Sequence, residues 1–162
     1  MSRLGVSAQD ASPGTMATHP IVGTWMATTP TGPAPGTYFA DGTVVIMVPA
    51  TQAGPRGVTF HSTGVGSWEP VSERGSHVTG DQLLFDADGN YTGSITIDGF
   101  PVVSEDGQTL LDDSPETTVT IRDADGVILD AIRGGPPVTG IRMGVGAPGF
   151  SPATPSVTTP TT

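Results

Sequence analysis

The chain has 162 residues, of which 16 are acidic and 6 basic, all six of them arginine, giving a formal net charge of −10. A surface of that sign repels polyanions, so DNA, RNA and anionic membranes are excluded as partners. The lack of cysteine removes disulfides, thiolate nucleophiles and sulfur metal sites, while 23 Gly and 16 Pro argue against a helical fold.

Residues 1–18 carry no apolar run of signal-peptide length and read as a disordered leader. No stretch approaches the roughly 20 apolar residues of a membrane span, which makes a soluble, cytoplasmic protein the expectation. From His19 to Met143, short apolar alternations are separated by turn signals at intervals of roughly 8 to 12 residues, the all-β pattern. The spacing predicts strands over Val22–Thr28, Thr37–Ala40, Thr43–Pro49, Val58–Glu69, His77–Phe85, Tyr91–Asp98, Pro101–Ser104, Thr117–Arg122, Val127–Arg133 and Val138–Met143. The longest is expected to bend or divide at Gly64 or Gly66. Residues 144–162, rich in Pro, Thr and Gly, read as a flexible tail with Phe150 its one large apolar residue.

Four of the turn signals are nearly one device. Asp41-Gly42, Asp86-Ala-Asp-Gly89, Asp106-Gly107 and Asp123-Ala-Asp-Gly126 each put Asp and Gly between strand-forming residues, where glycine supplies the positive φ of a tight hairpin. Strands linked this way must stack or close on themselves, and closure removes aggregation-prone edges. The expected architecture is a single antiparallel up-and-down β-barrel of 8–10 strands.

The first strand opens Gly23-Thr-Trp25, and the last carries Arg142. A guanidinium can stack on an indole face and donate to nearby carbonyls, so this pair would join the two ends of a barrel. A Gly-x-Trp opening, a hairpin meander over residues 19–143 and an arginine in the closing strand together resemble the calycin superfamily of lipocalins and fatty-acid-binding proteins. Phe60-His-Ser-Thr-Gly-Val-Gly-Ser-Trp-Glu-Pro70 is loosely similar to the central strand of nitrobindin-like barrels. The resemblance implies a cavity holding one small hydrophobic molecule. No histidine follows His77 to supply the axial ligand of a haem in the last strand, so no cofactor is expected.

If the apolar face of each strand points inward, Tyr38, Val45, Met47, Phe60, Trp68, Leu83, Phe85, Ile95 and Val119 line that cavity, or pack it solidly. Gly64, Gly66 and Gly93 on the same parity favour open space. No nucleophile elbow, zinc-protease, Walker or dinucleotide motif is present. The calcium-loop likeness at Asp86-x-Asp88-x-Asn90 fails, because Tyr91 and Ile97 stand where glycine and glutamate are required. His61 and His77 are the acid–base candidates, with Glu69 or Glu73 as an orienting carboxylate, and two internal histidines without a third ligand make a poor metal site. Three readings remain open: binding of a hydrophobic ligand, cofactor-independent cyclisation or isomerisation of a bound polyene or polyketide, and a structural domain with a filled core. The oligomeric state is not encoded in any of these features.

Overall fold

Asp-Gly turns set the architecture. In the computed structural model, which describes residues 13–54 and 57–146, Gly42, Gly89, Gly107 and Gly126 all take φ between 71° and 87°. In each turn the aspartate carboxylate accepts from a backbone N–H two residues on, as Asp41 does from Thr43 and Asp123 from Asp125. The chain is thereby reversed into hairpins with little else to specify it.

A short helix α1 (Pro13–Thr18) precedes β1 (Gly23–Thr29), β2 (Gly32–Tyr38), β3 (Thr43–Ile46), β4 (Thr51–Gly54), β5 (Gly57–His61), β6 (Gly64–Pro70) and β7 (Ser76–Phe85). There follow β8 (Tyr91–Gly99), β9 (Val102–Val103), β10 (Thr109–Asp112), β11 (Thr118–Asp123), β12 (Ile128–Arg133) and β13 (Val138–Arg142). The leader read as unstructured through residue 18 thus ends in a helix, and Met16 packs against the core. Residues 1–12, the tail from residue 147 and Phe150 lie outside the described residues.

All pairings among these strands are antiparallel, in one sheet of order β12-β11-β8-β7-β6-β3-β2-β1-β13-β10-β9, with the β4–β5 hairpin attached through β5 to the end of β7. The sheet curls into a half-barrel. Its β9 edge returns to the start of β7, where Gly75 bridges Val102 and Ser76 N–H donates to Pro101. At the other end of the order β12 pairs with β11 alone and all its residues are exposed, so one end of the sheet is drawn together and the other left open, or splayed. Among the described residues the strands number thirteen rather than 8–10: the alternation passed over β4 and β10, and Val58–Glu69 divides at Ser62-Thr63 into β5 and β6.

The core fills the drawn-in end. Ile21, Trp25, Tyr38, Val44, Trp68, Val78, Val103 and Leu110 form one buried cluster. Trp25 donates its indole N–H to Ile21 O at 2.8 Å and Trp68 to Phe39 O at 2.8 Å, so neither ring leaves a polar atom orphaned. Pro33 and Pro35 lie within β2 without cost to the ladder. The Pro35 carbonyl accepts from Met47 N–H just past the end of β3, which places the missing proline donor where no strand waits for it.

The inward glycines mark backbone contact instead of open space. A Cβ on Gly66 would stand 1.9 Å from Thr79 O, one on Gly93 2.0 Å from Arg122 O, and one on Gly64 3.0 Å from Gln82 Cγ.

Candidate functional site

Two β-bulges shape the splayed end. Between β7 and β8, Leu84 pairs Gly93 and Phe85 pairs Tyr91, leaving Thr92 as the extra residue. Between β11 and β12, Ile121 pairs Asp130 and Arg122 pairs Ile128, leaving Leu129 as the extra residue. Bulges re-aim side chains and sharpen the local twist. Here both extra residues border one hollow of about 190 Å³, which lies between β5 and the β11–β12 hairpin and is walled by Val58, Thr59, Leu84, Phe85 and Ile121.

The charges at its rim are already committed. Arg122 Nη1 donates to Thr96 Oγ1 at 2.8 Å. The Asp86 carboxylate accepts from the Asn90 side chain and from the backbone of Asn90 and Asp88, which holds it below the usual carboxylate range. What the hollow offers an occupant is therefore mainly apolar.

Two buried nitrogens lack a protein partner among the described residues, His61 Nδ1 and Gln82 Nε2. His61 pairs across the strands with Leu84, and Gln82 stands two residues before Leu84 on β7, so all three side chains share a face. Thr59 Oγ1 donates to Gln52 O at 3.3 Å and contacts His61 Nε2 at 3.1 Å.

The structure scatters the residues read from sequence as a cavity lining. Tyr38 and Trp68 are buried in the core, their rings meeting edge to face at 6.3 Å. Burial, with the Asp112 charge adding to it, pushes the Tyr38 hydroxyl above its usual pKa. Met47, Phe60 and Leu83 are 46%, 36% and 45% exposed, and Val45 faces away from the buried Val44. Phe85 borders the bulge hollow, while Ile95 and Val119 are half-buried on the inner side of the open end.

The cause of the misassignment is local. Ser62-Thr63 interrupts the strand, and the alternation restarts out of phase: Gly64 and Trp68 face in on β6, whereas Thr59 and His61 rather than Val58 and Phe60 do so on β5. A one-residue slip exchanges the two faces of a strand.

His61 and Glu69 do not meet. Glu69 faces His77, its carboxylate 3.7 Å from Nδ1, while His77 Nε2 lies 2.7 Å from Asp98 and its ring stacks on Phe100 at 4.6 Å. This group sits on the outer face of β6, β7 and β8.

Gly23, Trp25 and Arg142 do come together. The guanidinium carbon lies 4.1 Å from the Trp25 ring centre, and Gly23, at φ 132°, leaves the space that Arg142 Nη1 occupies.

A second, larger hollow of about 490 Å³ opens at the drawn-in end beside His19, Ser72 and Arg74. Two of its polar groups are engaged by the fold: His19 holds Ser72 O and Ile21 N–H, and Arg74 holds Val103 O. Among the described residues there is no cluster of three or more His, Asp or Glu able to hold a metal ion, and no helix is long and apolar enough to cross a membrane.

Gln82, Thr92 and Leu129 were not singled out by the sequence. Only Gln82 left a signal, a polar side chain on the same parity as Val78 and Leu84.

No family model, curated protein or solved structure matches the chain.

Proposed function

We propose that the protein binds a small, largely apolar molecule at the splayed end of the half-barrel, in the hollow between β5 and the β11–β12 hairpin. The observation that carries this reading is the convergence of two independent bulges, which turn Thr92 and Leu129 toward one hollow over the buried Leu84. A single bulge is a common way to end a strand pairing; two that border one apolar depression make a shaped site. At about 190 Å³ the hollow is below the roughly 300–1,000 Å³ of sites that take drug-sized ligands, so the occupant is on the scale of one ring.

Under this reading the calycin likeness concerns the closing Trp25–Arg142 pair, and the ligand sits at the open end of the sheet instead of in a central lumen. The test is titration with para-xylene, followed through the methyl resonances of Leu84, Ile121 and Leu129. Saturable shifts confined to these residues, lost in Thr92→Trp with the fold intact, support the proposal. Shifts that do not saturate, or that persist unchanged in Thr92→Trp, overturn it.

A further inference from the structure

The apolar surface around the hollow does not end at its walls. Val58 is 56% exposed and Phe60, Leu83 and Tyr91 are 36%, 45% and 45% exposed. Pairing puts all four, with Phe85, on one face of β5, β7 and β8. Phe60 lies opposite Phe85, and Phe85 opposite Tyr91 with the two rings edge to face at 6.3 Å. Val58 and Leu83 stand two residues before Phe60 and Phe85 on the same parity. Val58 and Phe85 also wall the hollow, so the depression and this apron are one continuous apolar surface. A single ring seated in the hollow would leave most of the apron in water. Contiguous patches of this kind mark contacts with a partner, and aromatic residues are enriched in them.

The charge beside this surface is mainly of one sign. Gly93 of β8 pairs with Asp123, two positions after Tyr91 pairs with Phe85, so the β7–β8 and β11–β12 turns stand side by side at the edge of the apron. They carry Asp86, Asp88, Asp123 and Asp125. The carboxylates of Asp86 and Asp123 are engaged within their own turns, whereas those of Asp88 and Asp125 are exposed and accept no hydrogen bond among the described residues. Arg122, the one cation lining the hollow, donates to Thr96. At a chain charge of −10, a second copy would set these turns against their own likeness. The surface is complementary to an apolar segment flanked by cations.

Resting on the binding proposal above, we infer that the apolar group taken by the hollow is a side chain of a basic segment in a partner protein. One aromatic side chain of that segment, phenylalanine in size, enters the hollow beside Thr92 and Leu129. Its apolar neighbours cover Phe60, Leu83 and Tyr91, and its lysine or arginine side chains pair with Asp88 and Asp125. An anchor buried in a pocket and ringed by contacts that exclude water concentrates binding energy at protein interfaces, while the acidic turns select the sign of the partner. The free edge of β12 is not the docking element: the bulge at Leu129 and Asp130, on the same face as Ile121, keep a further strand off.

The experiment titrates the full chain with the acetylated, amidated peptide Arg-Leu-Phe-Leu-Arg and follows the methyl resonances of Val58, Leu83, Leu84, Ile121 and Leu129. Saturable shifts at all five are expected, with para-xylene and the peptide displacing one another. Replacing the peptide's Phe by Ala should weaken binding at least about tenfold, and replacing both Arg by Glu should abolish it. Thr92→Trp should remove peptide binding. Leu83→Ser, outside the hollow, should weaken the peptide and leave xylene binding as in the parent. The double variant Asp88→Asn, Asp125→Asn should weaken the peptide and flatten its salt dependence. Saturable xylene binding without peptide binding overturns the partner inference and leaves the hollow standing, whereas no saturable binding of either removes both. Peptide binding that survives Thr92→Trp, or that is equal for the Glu peptide, overturns the inference. So does self-association of the chain that Leu83→Ser abolishes, which would make a second copy the occupant. Because Leu83, Asp88 and Asp125 are exposed, their variants decide the matter should Thr92→Trp misfold: peptide affinity unchanged in both overturns the inference.

Discussion

The Arg142 guanidinium covers the Trp25 ring at 4.1 Å while its nitrogens donate to the carbonyls of Gly107, Val22 and Pro20. One side chain of the last strand thus caps the indole of the first strand and ties the β9–β10 turn and the entry to β1 to the same point. Desolvation lowers the Arg142 pKa, and a guanidinium keeps its charge in proteins.

Arg142→Ala should therefore cost on the order of 2–4 kcal/mol, since it uncovers an indole face and strands three carbonyls together. The control is Arg133→Ala. Arg133 also holds a carboxylate, Glu116, but both side chains are well exposed, and such a pair contributes on the order of 0–1 kcal/mol. Chemical denaturation of both variants checks the contrast; equal midpoints would mean that Arg142 closes nothing.

Gly66 tests whether the interior is open. Because a Cβ there would meet Thr79 O at 1.9 Å and Gly80 Cα at 2.6 Å, Gly66→Ala must push β6 and β7 apart and should cost on the order of 3 kcal/mol. Gly135→Ala, with no atom within 4 Å of the new carbon and no positive φ, should be near neutral. Thermal melts of the two variants decide it. Tolerance of Gly66→Ala would restore the central lumen that the sequence suggested.

Much of the fold was legible because turns are local. Asp41-Gly42, Asp86–Gly89, Asp106-Gly107 and Asp123–Gly126 each carry their geometry within a few residues, and the long-range Trp25–Arg142 pair follows once a sheet is assumed to curl. What was missed depends on phase and register. Nothing in Ser62-Thr63 announces that the inward face changes there from odd to even positions, and the identity of the extra residues Thr92 and Leu129 is fixed by pairing across strands, not by their own chemistry. β10 was passed over although the Asp106-Gly107 turn before it required a second arm, with Leu110 as its core residue. The site escaped sequence reading because it is made of these same register-dependent features.

The turns also predict an acid response. Hydrogen bonds hold three carboxylates below their usual range: chiefly from the Thr43 backbone for Asp41, the Asn90 side chain for Asp86 and the Ser104 hydroxyl for Asp106. A carboxylate with a depressed folded-state pKa contributes stability that is present above the unfolded value, about 3.9, and is lost as pH falls through the lower folded value. Unfolding free energy should therefore drop as pH is lowered below about 4. The triple variant Asp41→Asn, Asp86→Asn, Asp106→Asn should show a shallower drop. Using the difference between the two curves cancels the relief of charge repulsion that both share. Parallel curves would mean the turns gain nothing from ionisation.

Gln82 supplies a prediction that needs no ligand. Its Nε2 is buried without a partner among the described residues, and an orphan donor of this kind costs roughly 1–3 kcal/mol relative to a satisfied or apolar group. Gln82→Met keeps the length of the side chain against Gly64 and removes the donor, so the unliganded protein should become more stable, by about 2–4 °C in Tm for each kcal/mol recovered. Thermal melts of the parent and the variant decide it. A lower Tm for Gln82→Met would make the amide part of the structural framework of β7.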